Sequence, residues 1–170
     1  TYCIGENFDY MFGSIMEHYG FCKSIDDYGF RKDEDGNPVI EDCQTVQFFQ
    51  YYTSPESWTI FRELWTNKNG LQDKYVAYWE AVATVLAKNP YVIGFDPINE
   101  PFPAGFEENT SIITDAGVFD KEQLTPLYEK VFERLIEADP NTIMYFEPGQ
   151  FPDAYLGKVK PTGFEKPPGG

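Results

Sequence analysis

A single histidine, His18, stands among 170 residues, and cysteines number only three: Cys3, Cys22 and Cys43. With one histidine and no CxxC pair, the chain has little with which to build a zinc site, and no metal is expected. Basic residues are also scarce: 13 Lys and Arg stand against 28 Asp and Glu, a formal net charge of -15. That balance argues against nucleic acid or an anionic membrane as the main partner. No apolar stretch approaches the roughly 20 residues that a membrane helix needs. No secretory leader is recognisable, and the first residue is Thr1 rather than Met, so a mature piece or an internal fragment is expected. The odd cysteine count leaves at least one thiol unpaired within the chain, and one disulfide among the three is as admissible as none.

What is present is a packed globular composition, 42% hydrophobic and 18% aromatic, at a length that suits one modest domain. Residues 1–53 resist a regular reading. They are expected to form a loop-rich excursion with one short helix around Tyr10 to Tyr19 and a polar turn over KDEDGN, Lys32 to Asn37. The acidic pairs and runs there, Asp26-Asp27 and Asp33-Glu34-Asp35, lack calcium-loop spacing and read as solvated surface. From Ser54 the signals sharpen. Ser54-Pro55 is a cap followed by proline at a first helical position, with Trp58, Phe61, Leu64 and Trp65 at helical spacing. After Lys68-Asn69-Gly70, the stripe Leu71, Tyr75, Tyr78, Trp79, Val82, Val85 and Leu86 predicts an amphipathic helix over 71–88.

Asn89-Pro90 stops that helix, and "YVIGFDPINEPFPAG" follows over residues 91–105. Tyr91, Val92, Ile93, Phe95 and Ile98 suit a strand buried on both faces, although Pro97 lacks the N–H that an ordinary central ladder position requires. Glu100 precedes Pro101, which pushes it out of helical geometry and sets its carboxylate at the lip of the run. The pattern then repeats. Thr125-Pro126 opens a helix over 126–138, Asp139-Pro140-Asn141 closes it, and a second apolar run over 142–147 ends on Glu147-Pro148. Two helix-strand units in series, each ending on a carboxylate, predict a parallel α/β fold. Only two core strands are convincing, whereas a closed (β/α)8 barrel takes eight and about 250 residues, so part of a TIM barrel is expected. Residues 1–170 would then be a single partial catalytic domain, with 54–150 carrying the helix-strand units and 151–170 a Pro/Gly-rich loop.

Asn-Glu-Pro at the end of an apolar run resembles the fourth-strand motif of family 5 glycoside hydrolases. The longer stretch "NKNGLQDKYVAYWEAVATVLAKNPYVIGFDPINEPFPAG" and the following "IMYFEPGQFPDA" resemble the endoglycoceramidase branch, which reads N-x-x-G-[LI]-Q-D before its helix. The resemblance covers about residues 54–150. It implies strands 4 and 5 of the barrel, a retaining hydrolase of β-glycosides such as glycosylceramides, and no cofactor. Matched position by position, Glu100 is the general acid/base and Asn99 the amide that contacts the sugar 2-hydroxyl. A retaining glycosidase also needs a second carboxylate about 5–5.5 Å from the acid as nucleophile. The resemblance puts that glutamate well downstream of the second run, so the nucleophile is expected outside this chain, from another chain or segment that completes the barrel. Apolar neighbours such as Phe95 and Phe102 are expected to keep the acid protonated.

Glu147 also ends a run, but at the next strand along, and is expected to play a structural or pocket-lining role rather than attack. Phe102, Phe106 and Phe151 are candidates for a sugar- or lipid-facing rim, while Trp58, Trp65, Tyr75 and Trp79 fit core packing. Asn109-Thr110-Ser111 fits an N-glycosylation sequon, which suits the extracellular space or a lysosomal or endomembrane lumen. Two other functions remain open at this stage: a non-catalytic fragment serving as an interaction module, and an endo-β-glucanase or mannanase of the same clan.

Overall fold

A computed structural model describes residues 23–52, 54–105, 108–109, 111–149 and 162–168. The expected helix around Tyr10 to Tyr19, together with Cys3, His18, Cys22, Phe106 and Phe151, lies outside them. The chain divides into two compact units, Thr1–Ile60 and Phe61–Gly170.

In the first unit the short helices are α1 (Ile40–Cys43) and α2 (Phe48–Tyr52), preceded by a 3-10 turn over Ile25–Tyr28 that Gly29 stops at a φ of 67°. The KDEDGN turn forms as its residues suggest. Asp33 accepts the amides of Asp35 and Asn37 on its carboxylate, and an isolated antiparallel bridge joins Lys32 to Pro38. Arg31 grips Asp42 with its guanidinium and its own backbone N–H, which holds the Asp42 carboxyl below its ordinary range. Cys43 carries a free thiol. Buried Ser54 caps α3 (Pro55–Trp65), its Oγ accepting the Ser57 amide at 3.2 Å.

The second unit is built on α4 (Leu71–Leu86) and α6 (Thr125–Ala138), the pair most extensively in contact. α4 starts where the NKNGLQD run places it, and Asn67, Gly70, Gln72 and Asp73 each have a structural task. Asn67 and Asp73 bond reciprocally, amide Nδ2 to carboxylate at 3.0 Å and Asp73 N–H to Asn67 Oδ1 at 3.1 Å. Between them Gly70 turns through a φ of 71°, and buried Gln72 donates to the Leu64 carbonyl while accepting from Lys130 on α6. Val76 and Ala83 of α4 pack with Leu127, Val131 and Leu135 of α6 and with Phe95, flanked by Trp65, Tyr75 and Trp79. A second cluster gathers Ile112 of α5 (Ser111–Thr114), Phe119, Leu124 and Tyr128. A π-turn over Asp120–Leu124 runs directly into α6.

The α/β expectation fails here. Among the described residues there is no sheet, and runs 91–98 and 142–147 share only one isolated parallel bridge, Phe95 to Met144. The chain as it stands is mainly helical and does not form strands 4 and 5 of a TIM barrel. The bridge consists of Phe95 N–H to the Ile143 carbonyl at 2.9 Å and Tyr145 N–H to the Phe95 carbonyl at 2.8 Å. The next rung would need an N–H from residue 97, and Pro97 has none. Burial on both faces also fails. Phe95 and Pro97 are buried, whereas Tyr91 is 90% exposed, Ile93 76% and Ile143 52%. The runs nevertheless lie very close: a Cβ on Gly94 would stand 2.5 Å from the Ile143 carbonyl oxygen.

Candidate active site

Past the bridge, the two runs are tied a second time by a side chain. Glu100 donates its backbone N–H to Glu147 Oε2 at 2.8 Å. Glu147 is itself held from α6: the Tyr128 hydroxyl donates to the Glu147 carbonyl at 3.0 Å and accepts the Glu147 N–H at 3.2 Å. From α4, the Tyr75 hydroxyl donates to the Pro97 carbonyl. Two helices thus fix the backbone of two runs through phenol groups whose rings lie in the core and whose oxygens reach out of it. Burial is the main reason that both phenols resist ionisation, and the nearby carboxylate of Asp96 pushes in the same direction.

Glu100 is exposed and has a φ of 47°. As the proline after it predicts, the residue is out of right-handed helical geometry, and it occupies the left-handed side of φ, which costs a non-glycine residue about 1–2 kcal/mol. The apolar enclosure expected of Phe95 and Phe102 does not form around it. The Phe95 ring packs at 6.3 Å from Trp79 and the Phe102 ring at 5.7 Å from Phe61, while the Phe102 carbonyl accepts from Trp65 Nε1. Beyond it the loop is pinned by Gln123, whose amide bonds both the N–H and the carbonyl of buried Ala104. Asn99, like Glu100, is exposed.

The site also contains a carboxylate that the sequence reading passed over. Asp96 is exposed, yet its pKa is raised, first by partial desolvation and then by the charge of Glu147, while the Ile98 N–H opposes the shift; solvent at the exposed carboxyl keeps the effect modest. A raised carboxyl pKa means that the folded state favours the protonated form. The stability contributed by this group is therefore complete below 3.8 and lost as pH rises through its folded value. Asp96→Asn is expected to unfold at a slightly higher urea concentration than the parent at pH 7. That advantage should shrink as pH falls and vanish below about 4, and an advantage that instead grew on acidification would contradict the assignment.

No protein-family model matches the chain. Among curated proteins, an endoglycoceramidase of Hydra vulgaris is 30% identical over 112 residues, covering 66% of this chain and 22% of that protein. An endoglycoceramidase of Cyanea nozakii is 29% identical over 135 residues, covering 79% of this chain and 25% of its own length. Over these stretches the chain is similar to endoglycoceramidases. It spans about a quarter or less of the length of these relatives.

The structure brings Glu147 against Glu100 and near Asp96, and leaves Phe102 in packing contact with Phe61. Asn109 is exposed, its Oδ1 accepting the Ser111 N–H at 3.2 Å and the Ser111 hydroxyl at 2.7 Å. A shallow hollow lined by Leu86, Val92, Gly94, Asp139 and Thr142 sits at the starting ends of the two runs, whereas the carboxylates sit at their finishing ends. Tyr128 and Tyr75 were readable only as members of apolar helical stripes. The one available signal was that their rings carry a hydroxyl on a core-facing stripe, and a buried hydroxyl requires a partner.

Proposed function

We propose that the chain forms part of a retaining β-glycosidase acting on glycolipids such as glycosylceramides. Glu100 is the general acid/base, and the attacking carboxylate comes from a segment beyond these 170 residues. The observation that carries this is the position of Glu100: an exposed carboxylate in a strained backbone conformation, tied to Glu147, in a chain 30% identical to an endoglycoceramidase. Strained backbone concentrates at functional sites. In the first step the nucleophile bonds to the anomeric carbon, the glycosidic C–O bond breaks, and Glu100 gives its proton to the leaving ceramide oxygen. In the second, Glu100 takes a proton from water as that water displaces the enzyme carboxylate. Asn99, beside the acid, would donate its amide to the 2-hydroxyl without adding charge.

The protein expressed at its natural length, given a glucosylceramide or longer glycosylceramide, is expected to release ceramide and a sugar that first appears with retained anomeric configuration by proton NMR. Inverted product would overturn the two-carboxylate assignment. Binding of the glycolipid without turnover would favour the interaction-module reading, and turnover of soluble β-glucans or mannans alone would favour the other clan activities. We further place the protein in the extracellular space or an endomembrane lumen, a reading supported by the exposed acceptor side chain of Asn109. Protein from its native source should lose mass when treated with an N-glycan-releasing amidase, and Asn109→Gln should abolish the change.

A further inference from the structure

Glu147 lies 47 residues from Glu100 in sequence, yet its carboxylate accepts the N–H of the very residue read as the acid. Three features make this more than a casual surface contact. First, the bond acts on a backbone unit that is otherwise unfavourable, since Glu100 has a φ of 47°. Such a conformation persists only where surrounding bonds specify it. Second, the acceptor is not loosely hung. Residue 147 has both its N–H and its carbonyl bonded by the hydroxyl of Tyr128, whose side chain is fully buried on α6. Third, the ordinary means of fixing two adjacent runs stops short of the site, because the ladder ends at the bridge of Phe95 with Met144 and Pro97 can donate no further rung. The Glu147 carboxylate takes up the backbone tie that the ladder cannot extend.

We propose that Glu147 is a positioning residue for Glu100: its carboxylate, anchored through Tyr128, holds the Glu100 amide and so sets the direction from which the acid reaches the glycosidic oxygen. This rests on the reading of Glu100 as the acid/base. In this role Glu147 contacts neither sugar nor reacting atoms. It needs an acceptor oxygen at glutamate's reach; a charge at shorter reach does not suffice. Glutamine keeps that reach with a carbonyl oxygen, aspartate keeps the charge but is one methylene too short, and alanine keeps neither.

The test compares Glu147→Gln, Glu147→Asp and Glu147→Ala in the natural-length protein, with kcat and KM measured on a glycosylceramide and on an activated aryl β-glycoside. Misplacement of a catalytic group by about 1 Å costs on the order of 10²-fold. The Asp and Ala variants should therefore lose on the order of 10–100-fold in kcat on the glycolipid. KM should stay within about twofold, and the loss on the aryl substrate should be far smaller, because it needs little protonation. Glu147→Gln should recover at least tenfold over Glu147→Asp. If Glu147→Ala fails to fold, judged by its melting curve, the Asp and Gln pair decides the matter. Equal losses in all three variants on both substrates would overturn the proposal and make the carboxylate itself part of the chemistry. Parent-like kinetics in the Asp variant would overturn it as well. Glu100→Gln separates the two levels: a flat response there sinks the acid assignment, whereas a strong response there with unaffected Glu147 variants sinks only the positioning role.

Discussion

Glu100→Gln is expected to reduce hydrolysis of a glycosylceramide by 10²–10⁴-fold, roughly the contribution of a positioned general acid, while sparing the glycosylation step of an activated aryl glycoside. Glutamine preserves the volume of the side chain and its reach from the strained backbone at position 100. It cannot supply a proton to a leaving alkoxide. A ceramide oxygen departs poorly without that proton, whereas a nitrophenolate needs little help, so the ratio of the two rates isolates proton donation from binding and folding. The backbone tie to Glu147 uses the N–H of residue 100 and survives the substitution, so the variant should melt close to the parent. With the activated substrate the second step becomes limiting, since it needs residue 100 as a base, and a burst of released phenolate should precede slow turnover. Equal loss on both substrates, with no burst, would remove Glu100 from the acid/base role.

The largest effect on stability should come from a residue outside the site. Asp120 is buried, and its two carboxylate oxygens accept one amide each, Gly149 N–H at 2.7 Å and Gly163 N–H at 2.8 Å. Asp120→Ala leaves one buried donor and one half-buried donor without acceptors, each costing about 1–3 kcal/mol, the half-buried one toward the low end. A total of about 2–5 kcal/mol follows, a large share of the 5–15 kcal/mol that typically holds a domain together. Asp120→Asn keeps one acceptor oxygen but turns an NH2 toward the other amide, so it should recover only part of the loss. Urea titration followed by tryptophan fluorescence is the measurement, and an unchanged midpoint in Asp120→Ala would mean that the two glycine amides find water or another acceptor. No close substitute is available at the contacts: a Cβ on Gly149 would meet Phe119 at 2.3 Å, and one on Gly163 would meet the Gly117 carbonyl oxygen at 1.8 Å.

The helices were legible because their signals are local. Ser54-Pro55 marks the start of α3, the apolar stripe gives α4 nearly to its last residue, and Thr125-Pro126 falls at the start of α6. The π-turn ahead of α6 left no local sign, since its Asp120 is held by glycines 29 and 43 residues away. The two apolar runs suggested strands, but a strand is a relation between segments. A single missing N–H at Pro97 was enough to limit the pairing to one bridge, and no partner covers Tyr91 or Ile93 among the described residues. At the site, the resemblance pointed to Glu100, and the repeated pattern drew attention to Glu147. What joins them was not readable, because a bond between residues 47 apart leaves no periodicity. Asp96 was missed because both causes of its raised pKa, desolvation first and then the charge of Glu147, come from the fold rather than from its sequence neighbours.

The positive φ of Glu100 also bears on how this chain would respond to selection. Glycine reaches that conformation without steric cost, and asparagine at a small one, so both would relax the backbone there. A directed-evolution campaign scored only on soluble yield or heat tolerance would therefore tend to drift position 100 toward those residues and enrich clones that fold better and turn over nothing. Glu100 marks a local trade-off between durability and catalysis, and a screen for robust variants needs turnover in its score to retain it.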